Sequence, residues 1–228
     1  MAMETVHTAF LLGTGGFWTV AYVLLIRTGL RERTFGMPLV AFATNISWEF
    51  MFAFVRPPSG VMHVINIVWF CFDVAIGYTL VRFGRAEFPY LPRSLFLPAL
   101  LGVLALAYPG MNYASELFDE GAGAVTAFAS NLAMSGMFLA MLAARRGTRG
   151  QSAGIALAKL LGTACASLSM LTDPGLAPRL DNALMYYLYA GCFLLDAAYL
   201  GALLAVRRAE RTVAPATATV PARPAATP

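Results

Sequence analysis

The stretch FATNISWEFMFAFV (42–55) is apolar enough for lipid or a protein core, yet it sets Asn45, Ser47, Trp48 and Glu49 where such a helix normally carries Leu or Val. A carboxyl group at the centre of a bilayer costs at least ~2.5 kcal/mol even on the lenient insertion scale, so an acid kept there is a candidate for function. The surrounding chain says which environment applies. Hydrophobic residues make up 59% of its 228 residues and charged residues only 12%, with a mean hydropathy of +0.67, whereas about a quarter of an average soluble domain is charged. Apolar runs recur at about 8–27, 38–56, 61–82, 94–109, 122–144, 153–171 and 183–206. Most of them approach the ~20 helical residues needed to cross ~30 Å of hydrocarbon. The fourth is short and bracketed by Pro98 and Pro109. The pattern predicts an all-α membrane protein, a seven-transmembrane-helix bundle forming one domain over 1–211.

The loops orient it, because cytoplasmic loops carry the excess of Lys and Arg. Arg27, Arg31 and Arg33 follow the first run; Arg82, Arg85 and Arg93 the third; Arg145, Arg146 and Arg149 the fifth; and Arg207, Arg208, Arg211 and Arg223 the seventh. The opposite connections hold only Arg56 and Arg179 beside Glu116, Asp119, Glu120, Asp173 and Asp181. The expected topology therefore has the N-terminus outside and the C-terminus cytoplasmic. The net charge of +4 is absorbed by this asymmetry, and no basic stripe suggests a nucleic-acid partner. The opening MAMETVHT lacks the basic n-region of a signal peptide, so the first run is read as a retained helix. Residues 212–228, TVAPATATVPARPAATP, are too rich in Pro, Ala and Thr to bury a core and are read as a disordered cytoplasmic tail. Cys71, Cys165 and Cys192 lie inside apolar runs without paired spacing and are read as small core residues,. Neither a metal site nor a cofactor is expected.

Four ionisable residues fall within the runs: Glu49, Asp73, Lys159 and Asp196. Lys159 follows the basic loop by about one and a half turns and is expected to snorkel to the cytoplasmic interface. At ~1.5 Å per residue, Glu49 lies ~10 Å inside the outer end, and Asp73 and Asp196 ~20 Å. All three acids therefore fall near the midplane, where one cavity can take them in. Each has company on its own helix face, three, four or seven residues away: Asn45 for Glu49, Asn66 and Trp69 for Asp73, and Tyr189, Phe193 and Tyr199 for Asp196. Trp48 and Tyr186 add aromatic surface able to line an apolar pocket and attract a cation. Burial disfavours the charged form of a carboxyl, which suits an acid meant to give up a proton. The residues alone leave two functions open. One is proton-initiated chemistry in a dry pocket; the other is a seven-helix proton-coupled transporter or sensor that uses the same acids.

NxxWE on the second run and LLDAAYL (194–200) on the seventh resemble the integral-membrane terpene cyclases of fungal meroterpenoid and indole-diterpene pathways and of bacterial drimentine-type pathways. The resemblance covers about 1–208. It implies a metal-independent cyclisation started by protonating a linear prenyl chain, farnesyl in length and carried on an acceptor such as an indole compound, without loss of diphosphate. It maps the catalytic acids onto Glu49 and Asp196; Asp73 is added from its burial. Asn45, Trp48, Asn66, Trp69, Tyr186, Tyr189, Phe193 and Tyr199 are then expected to bind substrate. The Ala- and Arg-rich composition suggests a bacterial plasma membrane. No DDxxD is present to hold magnesium and no DxDD of the soluble protonating cyclases, and the oligomeric state is left open.

Overall fold

The computed structural model describes residues 2–173 and 175–213. All regular structure among them is helical: α1 (Ala2–Glu32), α2 (Leu39–Phe50) continuing into a π-helical turn (Met51–Val55), α3 (Val61–Phe83), α4 (Arg93–Asp119), α5 (Ala124–Arg145), α6 (Ala153–Thr172), the short α7 (Ala177–Leu180) and α8 (Ala183–Val213), with one 3-10 turn at Gly84–Glu87. Six of these are long and apolar enough to cross a membrane, and Leu39–Val55 is a shorter apolar helix. Val64, Leu106 and Leu117 are among many large apolar side chains turned outward, as a chain solvated by lipid requires.

Two expectations about the elements change. The fourth run becomes one of the longest helices, because Pro98 and Pro109 lie inside α4 instead of bracketing it. A proline removes one donor per site, and spanning helices absorb that loss through neighbouring groups. The helix α8 extends to Val213, so the first two residues assigned to the tail are helical; residues 214–228 lie outside the described residues. Of the cysteines, Cys192 is buried while Cys71 faces outward, on the lipid side of α3.

Six helices close into a ring in the order α3, α1, α6, α8, α5, α2, and α4 packs outside on α2 and α5. Small residues bring α1 and α6 together: a Cβ on Gly13 would meet the Cys165 sulfur at 2.9 Å, and one on Gly162 would meet the Trp18 ring at 2.7 Å. Close backbone approach of this kind carries helix association where lipid removes the hydrophobic drive. At the arginine-rich end Glu87 receives Arg145 at 3.3 Å and Arg149 at 3.0 Å, and Glu32 accepts from the Gly150 amide at 2.7 Å. These bonds tie the loop ends of α1, α3 and α5. At the other end Asp119 caps α5, accepting from the amides of Gly123 and Val125 at 3.0 and 2.8 Å.

Candidate active site

The ring encloses a cavity of about 530 Å³ that reaches from the end opposite the arginine-rich loops down to Glu49. Helical spacing builds its floor. On α1, Trp18 and Tyr22 are four residues apart; on α2, Asn45, Trp48, Glu49 and Phe52 share one face; on α3, Asn66, Trp69 and Asp73 do the same. All of these line the cavity except Asp73, which lies directly behind Asn45.

Glu49 is 2% exposed and Asp73 not at all. Asn45 Nδ2 lies 3.0 Å from Glu49 Oε1, 2.8 Å from Asp73 Oδ2 and 2.6 Å from Tyr22 Oη. Tyr22 Oη–H in turn donates to Glu49 Oε1. The outer lone pairs of both carboxyls are thus held by donors from α1 and α2. One oxygen of each, Glu49 Oε2 and Asp73 Oδ1, has no hydrogen-bond partner among the described residues, and the Asn45 amide bridges the two carboxyls through their other oxygens. Two buried carboxyls joined through one amide form a dyad in which like-charge repulsion and desolvation both disfavour ionising the pair together.

The π-helical turn shapes the wall above. Its wider winding frees carbonyls that other side chains take up: Asn66 Nδ2 donates to Phe52 O at 3.3 Å and His63 Nε2 to Ala53 O at 3.0 Å. Such turns often mark functional segments. Here it seats the Phe52 ring over Gly123, whose φ of +80° and bare Cα leave room that a Cβ, 2.1 Å from the ring, would fill. Trp48 lies against Phe52 at 4.6 Å and donates from Nε1 to Gly123 O at 2.9 Å. Trp18, Trp48 and Trp69, all three tryptophans of the chain, line the cavity.

Asp196 is placed elsewhere. It is fully buried behind the α5–α6 wall, where Lys159 Nζ lies 2.6 Å from its Oδ1. Lys159 does not snorkel: it is 1% exposed, and its other two N–H groups reach Asn131 Oδ1 at 2.8 Å and Ser135 Oγ at 2.6 Å. Depth along α6 suggested the interface, but rotation about the helix axis turns this side chain inward, toward an ion pair and two acceptors that offset its desolvation. The α8 aromatics are also apart from the cavity. Tyr189 packs edge-on against Phe128, and Tyr199 against Phe138 at 5.2 Å. Tyr186 and Phe193 are 49% and 50% exposed on the outer surface, because at 100° per residue they stand to one side of the face carrying Cys192, Asp196 and Tyr199. Tyr22, Asn131 and Thr163 are cavity residues that the sequence reading did not single out; nothing but a helical offset of four between Trp18 and Tyr22 marks them in one dimension.

An all-helical membrane bundle around an aromatic chamber, with two carboxyls at its floor, describes an enzyme acting on an apolar substrate away from bulk water. The chain belongs to the Pyr4-like transmembrane terpene cyclases, whose family model matches residues 1–209. It is 33% identical over 212 residues to terpene cyclase cle7 of Aspergillus versicolor, covering 88% of this chain and 86% of that one. It is also 31% identical over 223 residues to terpene cyclase esdpB of Penicillium shearii (91% and 88%) and over 169 residues to the Pyr4-family terpene cyclase mfmH of Annulohypoxylon moriforme (72% and 69%). No solved structure matches. These relatives are fungal, so they lend no support to the bacterial plasma membrane suggested by composition.

Proposed function

We propose that this terpene cyclase works by protonation, with Glu49 as the general acid and Asp73 as the carboxyl that shares and steers its proton. The observation that carries the reading is the Glu49–Asp73 pair at the cavity floor, braced by Tyr22 and Asn45. Glu49 delivers its proton to the distal end of a farnesyl chain, to the terminal alkene or to the oxygen of a terminal epoxide. The chain's other double bonds close rings onto the cation, and the last cation gives a proton back to the Glu49–Asp73 pair, which leaves an isomer of the substrate and the acid restored, with no diphosphate released. The Glu49 carboxylate formed on proton transfer keeps its donors Tyr22 and Asn45. The faces of Trp18, Trp48 and Trp69 attract the passing cation, as does the Asn66 Oδ1 dipole, which has no donor. At the floor, far from the mouth, the apolar and aromatic lining keeps water from the cation and so protects it from quenching.

The same reading takes all seven apolar helices as spanning, with the arginine-rich loops in the cytoplasm and the mouth of the cavity on the other side. The acceptor suggested by the resemblance is an indole compound. The test incubates membranes holding the chain with 3-farnesylindole and with its terminal epoxide in deuterated water. A cyclised isomer is expected, carrying one carbon-bound deuterium at the prenyl terminus if the alkene is the group protonated. Glu49→Gln should lower turnover by about 10²–10⁴-fold while accumulating normally. Turnover by Glu49→Gln at the wild-type rate would return the dyad to a structural role.

A further inference from the structure

The mechanism above leaves a buried cation, a buried acid and several hydroxyl groups unused, and they form one connected set. Lys159 spends all three of its N–H groups, on Asp196, Asn131 and Ser135. A donor-only ammonium forces the Asn131 amide to present its oxygen, so its NH₂ edge must face the other way. There Nδ2 donates to Thr163 Oγ1 at 3.0 Å. Thr163 accepts that bond, and its own O–H has no acceptor among the described residues, in contrast to Thr14, Thr44 and Thr172, which bond back to a carbonyl four residues earlier. One and two-thirds turns toward the mouth, about 120° around α6 from Thr163, the Ser169 hydroxyl is buried, the residue being 1% exposed, and has no hydrogen-bond partner among the described residues. Thr163 and Ser169 both line the cavity, with the small Ala166 between them. Two buried hydroxyls with unspent donors, ~9 Å apart along one helix, stand across the chamber from the carboxyl dyad.

We propose that this α6 wall of the cavity binds the non-prenyl part of the substrate through oxygen atoms, hydroxyl or carbonyl, that accept from Thr163 and Ser169. Asp196 is then a positioning residue, acting through Lys159 and Asn131 to hold the Thr163 hydroxyl toward the cavity. The arrangement suits the chemistry, since the hydrocarbon terminus must meet the acid at one wall while the polar end needs donors at another. It deepens the cyclase reading, on which it rests for the prenyl chain, and it favours an acceptor bearing ring oxygens over one offering only an N–H.

The test is a binding measurement on the full chain in lipid nanodiscs, read by tryptophan fluorescence because all three tryptophans line the cavity. The probes are a farnesylated resorcinol, with two ring hydroxyls, and farnesylbenzene, with none. Wild type should bind the resorcinol several-fold more tightly. Thr163→Val and Ser169→Ala should each weaken it by about 3- to 10-fold, the worth of one neutral hydrogen bond, and leave farnesylbenzene unchanged; Thr163→Ser should restore it. Asp196→Asn should match Thr163→Val, and the two together should lose no more than either alone. Unchanged farnesylbenzene affinity certifies that each variant is folded. Should Asp196→Asn fail that control, Asn131→Leu breaks the same connection without removing a charge and takes its place. Equal affinity of wild type for the two probes, equal losses for both probes in the hydroxyl variants, or additive losses in the Thr163→Val/Asp196→Asn pair would overturn the proposal. None of these readings needs turnover, and the deuterium experiment run also on the farnesylated resorcinol and its terminal epoxide keeps the two apart: no isomer from either acceptor counts against the cyclase mechanism, while an isomer from the indole alone counts against the oxygen-binding wall.

Discussion

Lys159 and Asp196 allow a stability prediction that also bears on how activity data from this chain must be read. Both side chains are essentially unexposed and their charged atoms are 2.6 Å apart. Removing one partner leaves the other without a counter-charge in the wall of the ring, which in buried pairs costs about 3–5 kcal/mol. Lys159→Met strips Asp196 of its one hydrogen bond, since Oδ2 has no donor. Asp196→Leu leaves the ammonium two acceptors, Asn131 and Ser135, and should be the milder of the two. The double variant removes both charges and fills the space with hydrocarbon, an exchange that in other buried pairs is near neutral or stabilising. It should therefore unfold later than Lys159→Met alone. Equilibrium unfolding of the purified chain in mixed micelles, followed by helical circular dichroism, gives the four free energies. A cost for the double variant equal to the sum of the singles would mean that the two groups do not interact and that the pairing is wrong. A single Asp196 variant that loses activity says little about catalysis until this cost is known.

Tyr22→Phe removes the O–H that holds Glu49 Oε1; a hydrogen bond to a group that becomes charged is worth ~1.5–3 kcal/mol, so kcat should fall about 10- to 100-fold with KM little changed, as steady-state kinetics on the farnesylated substrate would show. Gly123→Ala places a Cβ against the Phe52 ring at a positive φ, an overpacking of ~1–3 kcal/mol, and should shift tryptophan emission by displacing Trp48; an unaltered spectrum and melting temperature would contradict the tight seat described for Phe52. Glu120→Cys should react with an impermeant maleimide added outside intact cells and Arg146→Cys only after permeabilisation, the reverse pattern inverting the proposed topology.

Much of the cavity floor is legible in the sequence. Asn45 and Glu49 are four residues apart on one helix, and two acids at similar depth on the second and third apolar runs invite a meeting. Depth, however, is the only coordinate that counting residues supplies. Asp196 shares that depth and still faces a different wall, because what decides is rotation about α8 and the presence of Lys159 on α6, 37 residues away. The same missing coordinate misled the reading of Lys159 itself, and it placed Tyr186 and Phe193 inward when they face the exterior. Tyr22 went unnoticed for another reason. An aromatic residue in an apolar run is unremarkable until a carboxyl from another helix comes to its hydroxyl.

The distribution of polarity around the chamber bears on how a carbocation would survive in it. Full negative charge at every wall would trap the cation as an ester, and water would trap it as an alcohol. Here the two acids at the floor are held by Tyr22 and Asn45, and Asp196 is cancelled by Lys159, whose ammonium lies 5.5 Å from the centroid of the Trp18 ring. Apart from His7 and Asp173, which lie 3.7 Å apart, the rest of the lining is apolar and aromatic surface from α1, α2, α3 and α5 with neutral hydroxyls and amides. These groups attract a cation by their quadrupoles and dipoles without forming a bond to it. On the proposed mechanism, pairing Asp196 with a buried lysine would serve the chemistry without either group reaching the substrate: it would order the polar wall while adding no net charge to it.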